Sequence, residues 1–406
     1  MRVRIAPREA MKAAVVAVAA MISPLAAFSQ DVTLRMSDGS LEISGQLVAF
    51  ENNVYTVNSP LGQINIRADG VECVGEGCPD LAVLNASAEQ TGPVVWDVSL
   101  WGSRRAFTEH VEKLAELVEQ KTGGEFTLNL VYGGLAPSDE NLDGIAAGRF
   151  EMAQFCAGYH PEKTPSITVL ELPFLGVSSM EQEREISQAV YAHPAVAADL
   201  ARWNATLLMP SPQPQYNILG VGLPPTSLAA FQNMTVRATG GSGDAIAALG
   251  ATTLNIPADQ VRDAMADGTV NAVAFAPHAH LSFRTIESGV WWTSNLNPGT
   301  ANCPVVVNSA ALAALPPASR VALLSSVDEA LDHFIKNYEE NTMSRWEAAM
   351  KERGIIQLTI TDEIISAIDA EVAGPAARNW IAETTAQGIP AQDIYDLITG
   401  MLRNGG

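Results

Sequence analysis

The sequence predicts an α/β body preceded by a small all-β module. Three features carry that reading. Between residues 94 and 156 strand and helix patterns alternate as β-α-β-α-β, the order of parallel strands joined by crossover helices. Between 231 and 272 a strand, a run of glycines and a helix start follow one another, with an arginine near the strand's end. Between 31 and 67 short alternating segments are separated by turn residues, the signature of an antiparallel meander or barrel.

Taken in order, the first stretch reads as a targeting segment. Arg2, Arg4, Arg8 and Lys12 precede an apolar run from 13 to 27, followed by small residues and Gln30. A cleaved leader over 1–29 is therefore expected, and a periplasmic destination with it. The run is short for a membrane span, and no later one is long enough. The formal net charge of the whole chain is −21. A leader with net +3 would leave −24 on the mature chain, which disfavours nucleic acid and anionic membrane surfaces as partners.

The module is expected over 30–80, with strands near 32–36, 41–50, 54–57 and 63–67. Asp38-Gly39, Asn52-Asn53 and Pro60-Leu61-Gly62 supply the turns. Its rhythm resembles SH3-like or Sm-like barrels, and its acidic surface argues against RNA. Cys73 and Cys78 flank a glycine-softened loop and are expected to form a disulfide. Residues 81–93, rich in Ala, Ser, Asn and Gly, read as a linker.

In the body, 94–100 is an apolar strand, Trp101-Gly102-Ser103 a turn, and 107–121 a helix with Phe107, Val111, Leu114 and Leu117 on one face. Gly123-Gly124 ends it, 126–131 is the next strand, 141–147 a helix and 152–156 a third strand. A twin-arginine look-alike, Ser103-Arg104-Arg105-Ala106-Phe107, lies too deep in the chain to be a leader and is read as chance. From 231 onward, Met234, Val236 and Ala238 alternate with Thr235, Arg237 and Thr239. The strand stops at Gly240, Gly241 and Gly243, and Asp244 is expected to open a helix. A strand end, a glycine turn and a helix N-terminus make a natural anion site. Arg237 offers it a rigid fork matched to a carboxylate. Residues 318–353 read as a long helix, with Leu323, Val327, Leu331, Phe334, Ile335 and Tyr338 on its apolar face. A strand over 355–360 and helices to 402 complete the chain.

Several segments together resemble the substrate-binding proteins of the tripartite ATP-independent periplasmic (TRAP) transporters. They are FTEHVEKLAELVEQKTGGEFTLNLVYGG, ENLDGIAAGRFEMAQ, TPSITVLELPFLG, MTVRA, LGATTLNIP and QVRDAMADGTVNA, from about Val94 onward. The resemblance implies a two-lobed periplasmic binding protein fold with a long bridging helix, lobe I being 94–214 plus 303–342 and lobe II 215–302 plus 343–406. It implies a small organic acid as ligand, TRAP membrane subunits as partners, no cofactor and a monomer. Arg237 falls on the family's carboxylate-binding arginine.

The resemblance also nominates cleft residues: Trp101, Phe155, Cys156 and Tyr159 from the first lobe, and Phe275 and His278 after the strand near 272. Gly240 is expected to add a backbone donor. A second family arginine falls on Asn217, and losing that cation points to a monocarboxylate or a less charged ligand rather than a four-carbon dicarboxylate. His278 and His280 have no third ligand nearby, so no metal is expected. One of Trp291 and Trp292 is expected in the cleft. Cys156 and Cys303 fall at cleft-facing strand ends, either disulfide-bonded or as two buried thiols. Two other readings stay open: a thiol enzyme centred on Cys156 with His160, and a sensor or adaptor using the N-terminal module.

Overall fold

The computed structural model describes residues 31–36, 42–51, 54–59, 62–68, 71–75, 78, 92–133, 135–225 and 227–404. The expected leader (1–29), the turn at Asp38-Gly39 and linker residues 81–91 lie outside the described residues. The chain divides into two units, Met1–Ala86 and Ser87–Gly406.

In the first unit, strands β1 (Asp31–Met36), β2 (Glu42–Glu51), β3 (Val54–Ser59), β4 (Gly62–Arg67) and β5 (Val71–Val74) form an antiparallel sheet of order β4-β3-β2-β1-β5. The alternation read from sequence places Val32, Leu34, Tyr55 and Val57 on its buried face. A register shift between Leu47 and Ala49 bends β2. β5 was not foreseen. It carries Cys73, and a disulfide to Cys78 staples its end.

The second unit holds two sheets. The first has order β7-β6-β8-β15-β9, from β6 (Val94–Leu100), β7 (Phe126–Tyr132), β8 (Met152–Gln154), β9 (Ala205–Met209) and β15 (Val305–Asn308). β6 pairs in parallel with β7 and β8, as β-α-β order requires, and β15 returns antiparallel between β8 and β9. The second has order β12-β11-β13-β10-β14-β16, from β10 (Asn217–Gly220), β11 (Thr235–Arg237), β12 (Thr252–Leu254), β13 (Ala272–Phe275), β14 (Trp291–Thr293) and β16 (Ile356–Leu358). The chain thus leaves the first sheet after β9, builds most of the second, returns through β15 and crosses again to add β16. Two layered sheets with such crossings are the α/β two-lobed fold.

Two long helical segments cross between the lobes, each with an irregularity. Pro317–Ser325 and Val327–Asn337 pack on the first sheet through Leu323, Val327 and Leu331. A π-turn, Tyr338–Thr342, then leads into Met343–Arg353, whose Trp346 packs on Leu219 and Trp292 of the second lobe. The extra residue of a π-turn lets one helix present different faces before and after it. The helix Asp362–Ala386 contains Pro375; before it, Ile368 and Val372 belong to the second lobe's core, and after it, Ala377 and Trp380 belong to the first lobe's. Ile394 and Ile398 of the last helix, Ala391–Asn404, join the first lobe as well. The expectation that 343–406 belongs wholly to the second lobe is thereby corrected: the proline redirects the apolar stripe. Trp291 packs against Gly220, and Trp292 against Trp346 and His280, so both are buried in the second lobe.

Candidate functional site

Arg237 ends β11 with its side chain 2% exposed. Its Nε donates to the Ile256 carbonyl at 2.9 Å and Nη1 to the Ala274 carbonyl at 3.5 Å. Its Cζ lies 4.4 Å from the Phe275 ring centroid, a cation–π contact. These contacts fix the guanidinium plane without neutralising it.

A second buried guanidinium faces the same pocket from the other lobe. β6 ends at Leu100, and Gly102, with φ +72°, turns the chain so closely over Arg105 that a Cβ there would lie 3.0 Å from Arg105 Nη1. Nη1 donates to the carbonyls of Trp101 and Ser103, each at 2.8 Å, while Nη2 is buried with no partner. The Arg105 Cζ sits 4.1 Å over the Trp101 ring and 5.8 Å from Phe283. Burial lowers its pKa to about 10, which keeps it cationic at neutral pH. The Trp101 indole N–H is also buried and unpartnered. The arginine ion pairs of the described residues fall elsewhere, at Arg104, Arg184, Arg202 and Arg284 among others.

Aromatic rings line the space between the two cations. Trp101 stacks on Phe283 at 6.4 Å and meets Tyr159 edge-on at 6.1 Å, and Phe283 lies 5.8 Å from Phe275. The Tyr159 hydroxyl accepts the Ala258 N–H at 3.3 Å, a hydrogen bond from one lobe to the other. A disulfide joins Cys156 to Cys303 in the pocket wall. The enclosed space is small, about 30 Å³, on the order of two water molecules. Anything larger enters only when the lobes part.

Glu171 is the one carboxylate of the pocket wall. Its Oε1 accepts the N–H groups of Gly158 (3.1 Å) and Asn302 (2.8 Å). Burial outweighs these bonds and raises its pKa to about 7. Three glycines make room for it: a Cβ on Gly158 or Gly240 would lie 2.6 Å from Oε2, and one on Gly241 would lie 2.2 Å from the Glu171 carbonyl oxygen.

His278 belongs to the short helix Pro277–Ser282 and stacks on Phe107 at 5.1 Å. Its backbone N–H donates to the Tyr338 hydroxyl at 3.1 Å, and that hydroxyl lies 2.8 Å from Nδ1. With two lone pairs and one proton, that hydroxyl holds Nδ1 in a hydrogen bond in either tautomer of the ring, so Nε2 is the ring nitrogen turned to the pocket. Burial holds this histidine neutral, with a pKa lowered to about 3. His280 instead bonds Thr285 through Nδ1 among Trp292 and Trp346. A strand would have put the two on one face; the helix separates them.

Of the residues nominated from sequence, Trp101, Cys156, Tyr159, Arg237, Phe275 and His278 line one pocket. Three do not. Phe155 is fully buried on the opposite side, stacked on His160 at 5.3 Å, because neighbours in extended backbone point to opposite faces and Cys156 takes the cleft side. Asn217 turns away to bond Asn297 at 2.8 Å and to accept from the Leu296 N–H at 2.9 Å and the Thr293 hydroxyl at 3.2 Å, a structural knot. Gly240 does not lie in an open turn; the helix starts there and runs Gly240–Ala248, with Glu171 packed against its first turn. Arg105 and Glu171 were missed. The only signal for Arg105 was the Arg104-Arg105 pair set aside as chance.

The sequence profile of the bacterial extracellular solute-binding proteins, family 7, matches residues 98–382. The chain belongs to that family. The match contains every pocket residue named above and begins after the N-terminal sheet. Solved structures of similar fold include an extracytoplasmic solute receptor of Bordetella pertussis binding pyroglutamic acid (18% identity, 77% of this chain and 100% of that one, TM-score 0.67). Another is a TRAP periplasmic solute-binding protein from Roseobacter denitrificans with bound β-D-glucuronate (19%, 75% and 99%, TM-score 0.64). A third is a TRAP periplasmic solute-binding protein from Desulfovibrio salexigens with bound orotic acid (16%, 76% and 99%, TM-score 0.67). The pocket described here lies where the two lobes face each other. Among the described residues no helix is long and apolar enough to cross a membrane.

Proposed function

We propose that this family 7 protein is a periplasmic receptor, exported by a cleaved leader, that binds a small organic acid between its lobes and delivers it to TRAP membrane subunits. The observation that carries the reading is Arg237: a buried guanidinium, fixed by two carbonyls and a ring, without a carboxylate of its own, facing an aromatic-lined pocket. A buried charge of this kind is costly unless a counter-charge arrives. A ligand carboxylate supplies it through charge-assisted hydrogen bonds. Trp101, Tyr159 and Phe275 pack the carbon frame, and hinge opening admits it. The three neighbours above were solved with or described as binding carboxylic acids, which accords with this chemistry.

An enzyme centred on Cys156 lacks its nucleophile, because the sulfur is held in the Cys156–Cys303 disulfide. Native mass spectrometry of the purified mature protein, followed by denaturation and identification of a released small molecule, tests the receptor reading together with thermal-shift screening of organic acids. A released or stabilising acid whose effect disappears in Arg237→Ala is expected. Wild-type affinity in that variant would refute the site.

A further inference from the structure

Asn217 in place of a second family arginine points to a monocarboxylate or a less charged ligand; the structure places a second guanidinium in the pocket, on the opposite lobe. We infer that the ligand is held at two points: a carboxylate at Arg237 and a separate oxygen acceptor, carbonyl or carboxylate, at Arg105. The occupant is then a compact two-headed acid, and Arg105 is the residue that selects against one-headed acids. This rests on the receptor reading and adds the second head to it.

Four observations carry it. Arg105 Nη2 is buried without a partner, although Nη1 of the same group makes two bonds. A donor buried this deeply is normally satisfied, so Nη2 is the part of the group that can take an acceptor brought into the pocket. The Trp101 indole N–H is orphaned beside it, with the guanidinium 4.1 Å over its ring. His278, on the same pocket wall, has its Nδ1 committed to Tyr338, which leaves Nε2 as the ring nitrogen that can meet a ligand. Two buried donors without partners, Arg105 Nη2 and the Trp101 indole N–H, therefore meet at this end of the pocket. Finally, the two guanidiniums stand against different rings of the tilted pair Phe283–Phe275, Arg105 lying 5.8 Å from one and Arg237 4.4 Å from the other. A ligand with an acceptor at each end meets both guanidiniums, and because Arg105 and Arg237 stand on different lobes it ties the lobes together on closing. A purely structural Arg105, pinning the 101–103 turn, would account for Nη1 but leaves Nη2 unexplained.

The test uses three matched pairs of acids in calorimetric titrations of the mature full-length protein: 3-oxocyclopentanecarboxylate with cyclopentanecarboxylate, isophthalate with benzoate, and 3-oxocyclohexanecarboxylate with cyclohexanecarboxylate. Each pair shares a carbon ring and a carboxylate and differs only in the second acceptor. At least one two-headed acid is expected to bind, and its one-headed partner to bind roughly tenfold to a hundredfold more weakly. Arg105→Ala should remove that discrimination by weakening the two-headed acid alone; Arg105→Lys should restore part of it. A structural role would weaken both members of the pair alike, which overturns the inference. Binding that needs Arg237 but is indifferent to Arg105, or equal affinity within every pair, overturns it while leaving the receptor reading standing. A protein that binds none of the six, and releases no acid on denaturation, overturns both.

Discussion

Replacing Glu171 by glutamine should make the protein more stable at alkaline pH and leave it unchanged in acid. In the fold its pKa is raised from 4.5 to about 7, chiefly by burial, against two backbone N–H bonds that pull the other way. An acid with a raised folded pKa favours the folded state only while protonated. Below pH 4.5 both states hold the proton and nothing is lost. Between 4.5 and 7 the unfolded chain releases it while the folded chain does not, so stability falls as pH rises. Above pH 7 the loss is complete, at about 3 kcal/mol. Glutamine keeps an oxygen for the N–H groups of Gly158 and Asn302 and has no charge to bury. Urea unfolding of wild type and Glu171→Gln from pH 4 to 8.5, without ligand, reads the difference directly. The curves should coincide near pH 4 and separate progressively to a plateau above pH 7, the variant being the more stable. Curves that stay parallel across the range would show that Glu171 ionises in the fold without penalty, and the reasoning from its burial would be wrong. Glu183 is raised to about 8 by burial, so Glu183→Gln should behave the same way with its plateau at higher pH.

Gly241→Ala places a Cβ 2.2 Å from the Glu171 carbonyl oxygen, so it should cost about 1–3 kcal/mol and weaken any ligand-induced thermal shift; unfolding and ligand titration of the variant check both. Reducing the Cys156–Cys303 disulfide, which spans 147 residues, should lower stability by about 4 kcal/mol and expose thiols to a colorimetric reagent, measurable by thermal melts with and without dithiothreitol. Tyr338→Phe strips the partner from the His278 N–H and Nδ1 together, which should cost about 1–3 kcal/mol and shift the Nδ1 resonance in nitrogen-15 spectra.

The regular part of this fold was legible because periodicity reports burial. The helix Glu109–Thr122 buries Val111, Leu114, Leu117 and Val118 at the spacing read from sequence, and Gly123 ends it with φ +61°. What was not legible depends on contacts distant in sequence. The helix start at Gly240 was hidden because glycines predict a turn; here they are small because Glu171 and Pro173 of the other lobe lie against them. Arg105 was hidden because an arginine after a strand reads as exposed, and only the fold shows Trp101, Phe107 and Phe283 closing around it. Asn217 misled for the opposite reason. Its strand position matched the family pattern, but its side chain is spent on Asn297, Thr293 and Leu296.

The charge pattern of the whole chain makes sense in these terms. A chain of net charge −21 cannot attract an organic anion through its overall field, so selectivity has to be local and short-range. Two guanidiniums buried among aromatic rings satisfy that requirement, because water there is scarce and each hydrogen bond counts for more than at the surface. Their cost in the empty protein is the desolvation of charges that lack counter-ions. A ligand that supplies the missing acceptors recovers that cost, so affinity and ligand-induced stabilisation have one origin. They should fall together in Arg237→Ala and in Arg105→Ala, as linkage between binding and folding demands.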